Sequence, residues 1–222
     1  MDGRSTEACR RTARGFGALF WGLLFAMAGT AFVDVAPRVP SWMLLSALLA
    51  CWAFGVPGLL WLGRSEVFRA RRGLWRAAVA LSMTTAGLAP MFAWWRLYPR
   101  NAFFACNAAA YAVAGVALLF VLVRMAAACG AWLDDQAIQA EGVASTAALV
   151  FTLVLAAAAL WWTMRDLPDR SLPALMRHGL QIHAVSRFCM TALLFGLTAY
   201  PVRMARHAAA GAASGATPGA EA

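Results

Sequence analysis

Apolar residues run through this chain in blocks of about twenty, and the short stretches between them gather nearly all of its charge. A bilayer core of about 30 Å is crossed by roughly 20 apolar residues in a helix. Six blocks meet that requirement, at 16–34, 42–62, 77–95, 102–123, 143–163 and 184–204. The pattern predicts an all-α fold, a polytopic transmembrane bundle of six spans. The first block, GFGALFWGLLFAMAGTAFV, ends at Asp34, and Pro37 and Pro40 in the "DVAPRVPS" that follows suit a tight turn. The second contains "GVPG", where Pro57 is expected to kink a helix whose neighbours tolerate the break. The fourth apolar run continues past Arg124 to Trp132, longer than a bilayer requires, which predicts tilt or an extension beyond it. The chain thus divides into a basic segment 1–15, a spanning domain 16–204, and a low-complexity tail 205–222 expected to be disordered.

The longest polar interruption is "RDLPDRSLPALMRHGLQIHAVSRF" at 165–188. Ser171 suits an N-cap and Pro173 the first helical turn. At helical periodicity Leu172, Leu175, Met176, Leu180 and Ile182 gather on one face, with Arg177, His178 and Gln181 opposite. That pattern predicts a short interfacial helix lying on the membrane surface before the last span.

Charge then sets the orientation. The 19 basic residues are all arginine. Twelve fall on the side of the chain termini (Arg4, Arg10, Arg11, Arg14, Arg64, Arg69, Arg71, Arg72, Arg76, Arg124, Arg203, Arg206) and seven on the other. Excess arginine marks the cytoplasmic side, so both termini are expected inside, in the cytoplasmic membrane of a bacterium. "CRRTARGFGALFWGLLFAMAGTA" also fits a cleaved signal peptide, with cuts after Ala28 or Ala31, but its apolar core is long for one. Trp42, Trp94, Trp95, Trp161 and Trp162 fall at the outer block ends, and Trp21, Trp61, Trp75 and Trp132 near the inner ones, as in an aromatic belt. Trp52 lies mid-block and is expected to pack between helices. With 62% hydrophobic and 13% charged residues and mean hydropathy +0.65, the composition belongs to membrane proteins. A net charge of +9 scattered between apolar runs does not describe a nucleic-acid-binding face.

Candidate chemistry is sparse. Ionisable residues inside a membrane usually mark function, and the central parts of the six blocks carry none. The chain has no H-E-x-x-H, no paired acidic motif for Mg²⁺ and no G-x-S-x-G elbow. His178, His183 and His207 lie at or beyond block ends, unsuited to holding haem across a membrane, and neither a metal nor a cofactor is expected. Cys9, Cys51, Cys106, Cys129 and Cys189 show no metal-like spacing and read as small apolar residues, a Cys106–Cys189 disulfide being the minor alternative.

Polar residues near the outer block ends form the one candidate site. Asn107 and Tyr111, four apart on a helix face, would join Asp34, His183 and Arg187 in a shallow outward pocket. The competing expectation is that Asn107 bonds to a helix as structural glue while Arg187 reaches to lipid phosphates. Ala18, Gly22, Ala26 and Thr30 form a small-residue ridge, suited to close approach by another span or a separate subunit. The basic 63–76 stretch, with Val67, Phe68, Leu74 and Trp75 interleaved, is expected to lie on the anionic inner leaflet.

"RGFG" at 14–17 followed by "DVAP" at 34–37 resembles the opening of small uncharacterised polytopic proteins of Gram-positive bacteria. The resemblance covers the first hairpin only, departs from the pattern at Arg38, and implies no activity. The expected function is that of a non-enzymatic membrane subunit or accessory protein, working through helix packing and contact with membrane lipids, with another membrane subunit as a further candidate partner. The alternative is a small-solute transporter component. In size and span count it would resemble the substrate-binding subunits of energy-coupling-factor vitamin transporters, an analogy of architecture alone.

Overall fold

The computed structural model describes residues 3–35, 41–98, 100–166 and 199–215. Among these, seven helices and no strand occur: α1 Gly3–Val35, α2 Ser41–Gly63, α3 Glu66–Arg69, α4 Arg72–Leu97, α5 Ala102–Leu133, α6 Gln136–Asp166 and α7 Ala199–Gly215. The first five apolar blocks each fall within one helix. Three helices are long and apolar enough to cross a membrane, over Arg72–Trp95, Ala102–Leu133 and Gln136–Arg165. The 32 residues of α5 measure about 48 Å at the helical rise, well beyond an apolar core. The proposed interfacial helix and most of the sixth block lie outside the described residues.

Local chemistry explains the ends. The Asn101 side chain accepts hydrogen bonds from the backbone N–H of Phe103 at 2.9 Å and Phe104 at 3.4 Å, capping α5. Asp135 caps α6 by accepting from Ala137 N at 3.0 Å and Ile138 N at 3.2 Å. Between α5 and α6 the chain reverses at Asp134, with φ 53° and ψ 34°, the left-handed conformation that aspartate tolerates better than most residues. Pro57 and Pro90 sit inside α2 and α4, which continue through them.

α1 and α2 pack most intimately, and glycine makes that possible. A Cβ at Gly22 would lie 3.0 Å from the Cys51 carbonyl oxygen and 3.2 Å from the Gly55 nitrogen. One at Gly58 would lie 2.8 Å from the Gly15 carbonyl oxygen and 3.1 Å from Leu19. The crossing brings Phe16, Leu19, Leu59 and Leu62 into a buried cluster with Phe68, Leu122, Val123 and Met125. α5 pairs with α4 along one side and with the first turns of α6 on another, and Ile138 and Leu149 of α6 reach the same core. α7 lies along α1 and buries Met204, while Arg203 and Glu141 pair at 3.5 Å to tie it to α6.

Helix extends into both terminal segments. α1 begins at Gly3, and Cys9 and Thr12 are buried, so the basic segment is continuous with a packed helix. Of the tail, residues 205–215 are helical, its alanines favouring helix more than any other residue.

The crossing makes a direct prediction. Gly58→Ala, which drives a methyl into backbone, should lower stability by about 1–3 kcal/mol. Gly115→Ala, which meets nothing within 4 Å, should be neutral or stabilising by up to about 1 kcal/mol. Thermal unfolding of both variants in one detergent checks the difference.

Candidate functional site

The α4–α5 connection carries an aromatic nest. Phe92 of α4 stacks on Tyr111 of α5 with ring centroids 5.2 Å apart, and also lies 6.2 Å from the Trp95 ring. Tyr111 is 4% exposed and packs with Ala89 and Ala93. Trp95 packs with Ala105 and Ala108, alanines small enough to admit an indole between the helices. The Trp95 Nε1 is fully enclosed and has no hydrogen-bond acceptor among the described residues. An unmet buried donor of this kind forfeits about 1–3 kcal/mol. Trp94, Tyr98, Phe103 and Phe104 surround the nest with further edge-on and tilted ring contacts.

Two of the five proposed pocket residues belong to this region. Asn107 is half-buried and donates its Nδ2 to the Phe103 carbonyl of its own helix at 2.8 Å. Tyr111 faces inward, one turn away, in the stack. Asp34 falls in the last turn of α1, beyond its described side chains, and His183 and Arg187 lie outside the described residues. On the small-residue ridge, Gly22 contacts α2 of this same chain and Ala18 is half-buried; the side chains of Ala26 and Thr30 are not described. The close contact follows Gly15, Leu19 and Gly22, a line offset from the four-residue ridge.

At the other end of the bundle a plug closes the space between α1, α2, α4 and α5. α3 is one turn long, yet Val67 and Phe68 on it are buried, Phe68 at 1% exposure. The buried Ser65 and Thr12 hydroxyls stand 3.0 Å apart, and Thr12 Oγ1 lies 2.8 Å from the Ala8 carbonyl. Trp75 Nε1 donates to the Leu59 carbonyl at 2.8 Å, laying its ring over Gly63. The apolar residues of 63–76 therefore turn into the core, not onto a leaflet as the interleaved pattern suggested. Burial of a phenylalanine ring outweighs surface contact when the loop is too short to reach away. The arginines turn outward: Arg64, Arg69, Arg71, Arg72 and Arg76 are all exposed. Arg10 and Arg11 pair with Glu7 at 2.8 Å and 3.0 Å, and Arg11's hydrogen bond holds the Glu7 carboxyl below its usual range.

Trp42, Trp94, Trp161 and Trp162 are exposed, as a belt requires, but Trp95 and Trp75 pack inward. Cys9 and Cys129 are buried and Cys106 is exposed. Among the described residues no three His, Cys, Asp or Glu side chains converge as a metal site would need. Compared with protein families, characterised proteins and solved structures, the chain matches none.

Both ends generate tests. Asn107→Ala should change stability by no more than about 0.5 kcal/mol. Tyr111→Ala, which empties the stack, should remove about 3–5 kcal/mol, read by thermal unfolding in detergent. In single-cysteine variants, maleimide should modify Cys106 in the folded protein and Cys9 only after denaturation. Burial pushes the Cys9 thiol above its ordinary value of 9.0. Raising the pH toward that value should therefore leave Cys9 unreactive in the folded protein, because only the thiolate attacks.

Proposed function

We propose that this chain is a non-enzymatic membrane subunit or accessory protein, acting through helix packing and lipid contact in the cytoplasmic membrane of a bacterium. In this reading it crosses six times, with both termini inside and the α2–α4 plug facing the cytoplasm. The observation that carries it is the state of α6. Only 6% of its most apolar window is buried, against 44% for α5, a neighbour of equal hydropathy. Val143, Phe151, Val154, Leu155, Trp161 and Trp162 present one exposed apolar length. A span so little buried among the described residues is open to lipid and to a partner helix. Packing of small side chains against such a surface supplies association where no hydrophobic drive exists.

A second reading, a component that binds a small solute for transport, is favoured by one feature. The enclosed Trp95 indole lacks an acceptor beside the Phe92–Tyr111 stack. A solute with a hydrogen-bond acceptor would complete that donor if the α4–α5 connection opened.

The two readings separate experimentally. A photo-reactive amino acid at Phe151 or Leu155, illuminated in intact membranes, should yield a discrete protein adduct. The same probe at the buried Leu149 should yield none. A protein that gives no adduct at either exposed position, and that carries a stoichiometric small molecule by mass spectrometry, would instead be the solute-binding component.

A further inference from the structure

We infer that the arginines around α3 form a docking surface for the phosphate groups of anionic phospholipids. This deepens, and rests on, the reading of the chain as one that works through lipid contact. The relevant groups are Arg64 before α3, Arg69 at its end, and Arg71, Arg72 and Arg76 at the start of α4. All five are exposed and none forms an ion pair among the described residues. The neighbouring Arg10 and Arg11 already share Glu7. Within 63–76 the one acidic side chain is the exposed Glu66, so the charge of this surface is largely unneutralised.

The backbone beneath the charge is held in place. Val67 and Phe68 anchor α3 in the core, Ser65 meets Thr12 across 53 residues of sequence, and Trp75 is tied to Leu59. Phe68 of α3 packs in one cluster with Met125 and Cys129, which brings the end of α5 beneath the same surface. Guanidinium groups on a pinned backbone suit multivalent, forked hydrogen bonding to phosphate oxygens. The location selects the source of the phosphate. α4 is long and apolar enough to cross a membrane and begins at Arg72, so these groups sit where a span would leave the lipid headgroups.

The test uses the full chain in neutral detergent, with phosphatidylglycerol or phosphatidylcholine added and retained lipid measured by native mass spectrometry. The wild type should retain phosphatidylglycerol preferentially and unfold at a higher temperature in its presence. An arginine near an anionic surface contributes about fivefold in affinity, so Arg69→Gln/Arg71→Gln/Arg72→Gln should lose on the order of a hundredfold. These side chains are exposed, and the triple variant should melt like the wild type in phosphatidylcholine. Arg100→Gln/Arg165→Gln, exposed elsewhere, should bind as the wild type does. Equal retention of the two lipids, or a triple variant that keeps its preference, would overturn the proposal. So would displacement of phosphatidylglycerol by equimolar inorganic phosphate, which would assign the site to a free anion. None of these outcomes touches the α6 crosslinking result, so this proposal and the subunit reading fail separately.

Discussion

The near-contact of the α1 and α2 backbones is the constraint on which the rest of the bundle depends. Gly58 lies against the Gly15 carbonyl, and Gly22 against the Cys51 carbonyl and Gly55 nitrogen, at separations that leave no room for a side chain. At such a separation the two backbones are held by dispersion contact along the whole seam. Once the two axes are this near, Leu62 seats beside Gly15 and Thr12 arrives beside Ser65. That contact orients the turn after α2 so that Val67 and Phe68 enter the core instead of the surroundings. The plug, and with it the outward direction of the arginines, is a consequence of two glycine-lined helix faces.

The two ends of the bundle solve different problems. At the α4–α5 connection, rings fill space that alanines leave open, and the expense is one indole donor without an acceptor. At the plug, polar groups that enter the interior are matched: Ser65 with Thr12, and Trp75 with the Leu59 carbonyl. A buried donor left unmatched is costly in low dielectric, so Trp95 stands apart from its better-satisfied counterpart. α6 differs from both ends. Beyond its first turns, where Gly142 admits Ala127 and Ile138 fills against Gly130, it offers apolar surface that the described bundle does not consume.

Much of the helix layout was legible in the chain because block length and turn residues carry it. The block at 42–62 and the helix at Ser41–Gly63 agree within a residue at each end. Burial was far less legible. When every face of a helix is apolar, periodicity cannot say which face meets a neighbour. Trp94 and Trp95 illustrate the difficulty, since both sit at a block end and both read as belt residues. Successive helical residues point about 100° apart, so only one of the two can enter the cleft with Ala105 and Ala108, and only the packing shows which. Asn107 and Tyr111 both lie on α5, one turn apart, without sharing a role. Tyr111 is committed to a ring stack and Asn107 to its own backbone.

The 63–76 stretch carries this reasoning furthest. Arginine and apolar residues alternate there in a way that describes an amphiphilic loop on a membrane surface equally well as a plug. The distinction lies in length and anchorage. Eight residues separate the ends of α2 and α4, and α3 takes four of them. A loop that short cannot carry phenylalanine away from a core opening directly beneath it, so the ring goes in and the charged neighbours are forced out. The same geometry that takes the apolar residues into the core leaves the arginines exposed. On the proposed reading, lipid contact at this end depends on charge held by a packed scaffold, and at α6 on apolar area left exposed among the described residues.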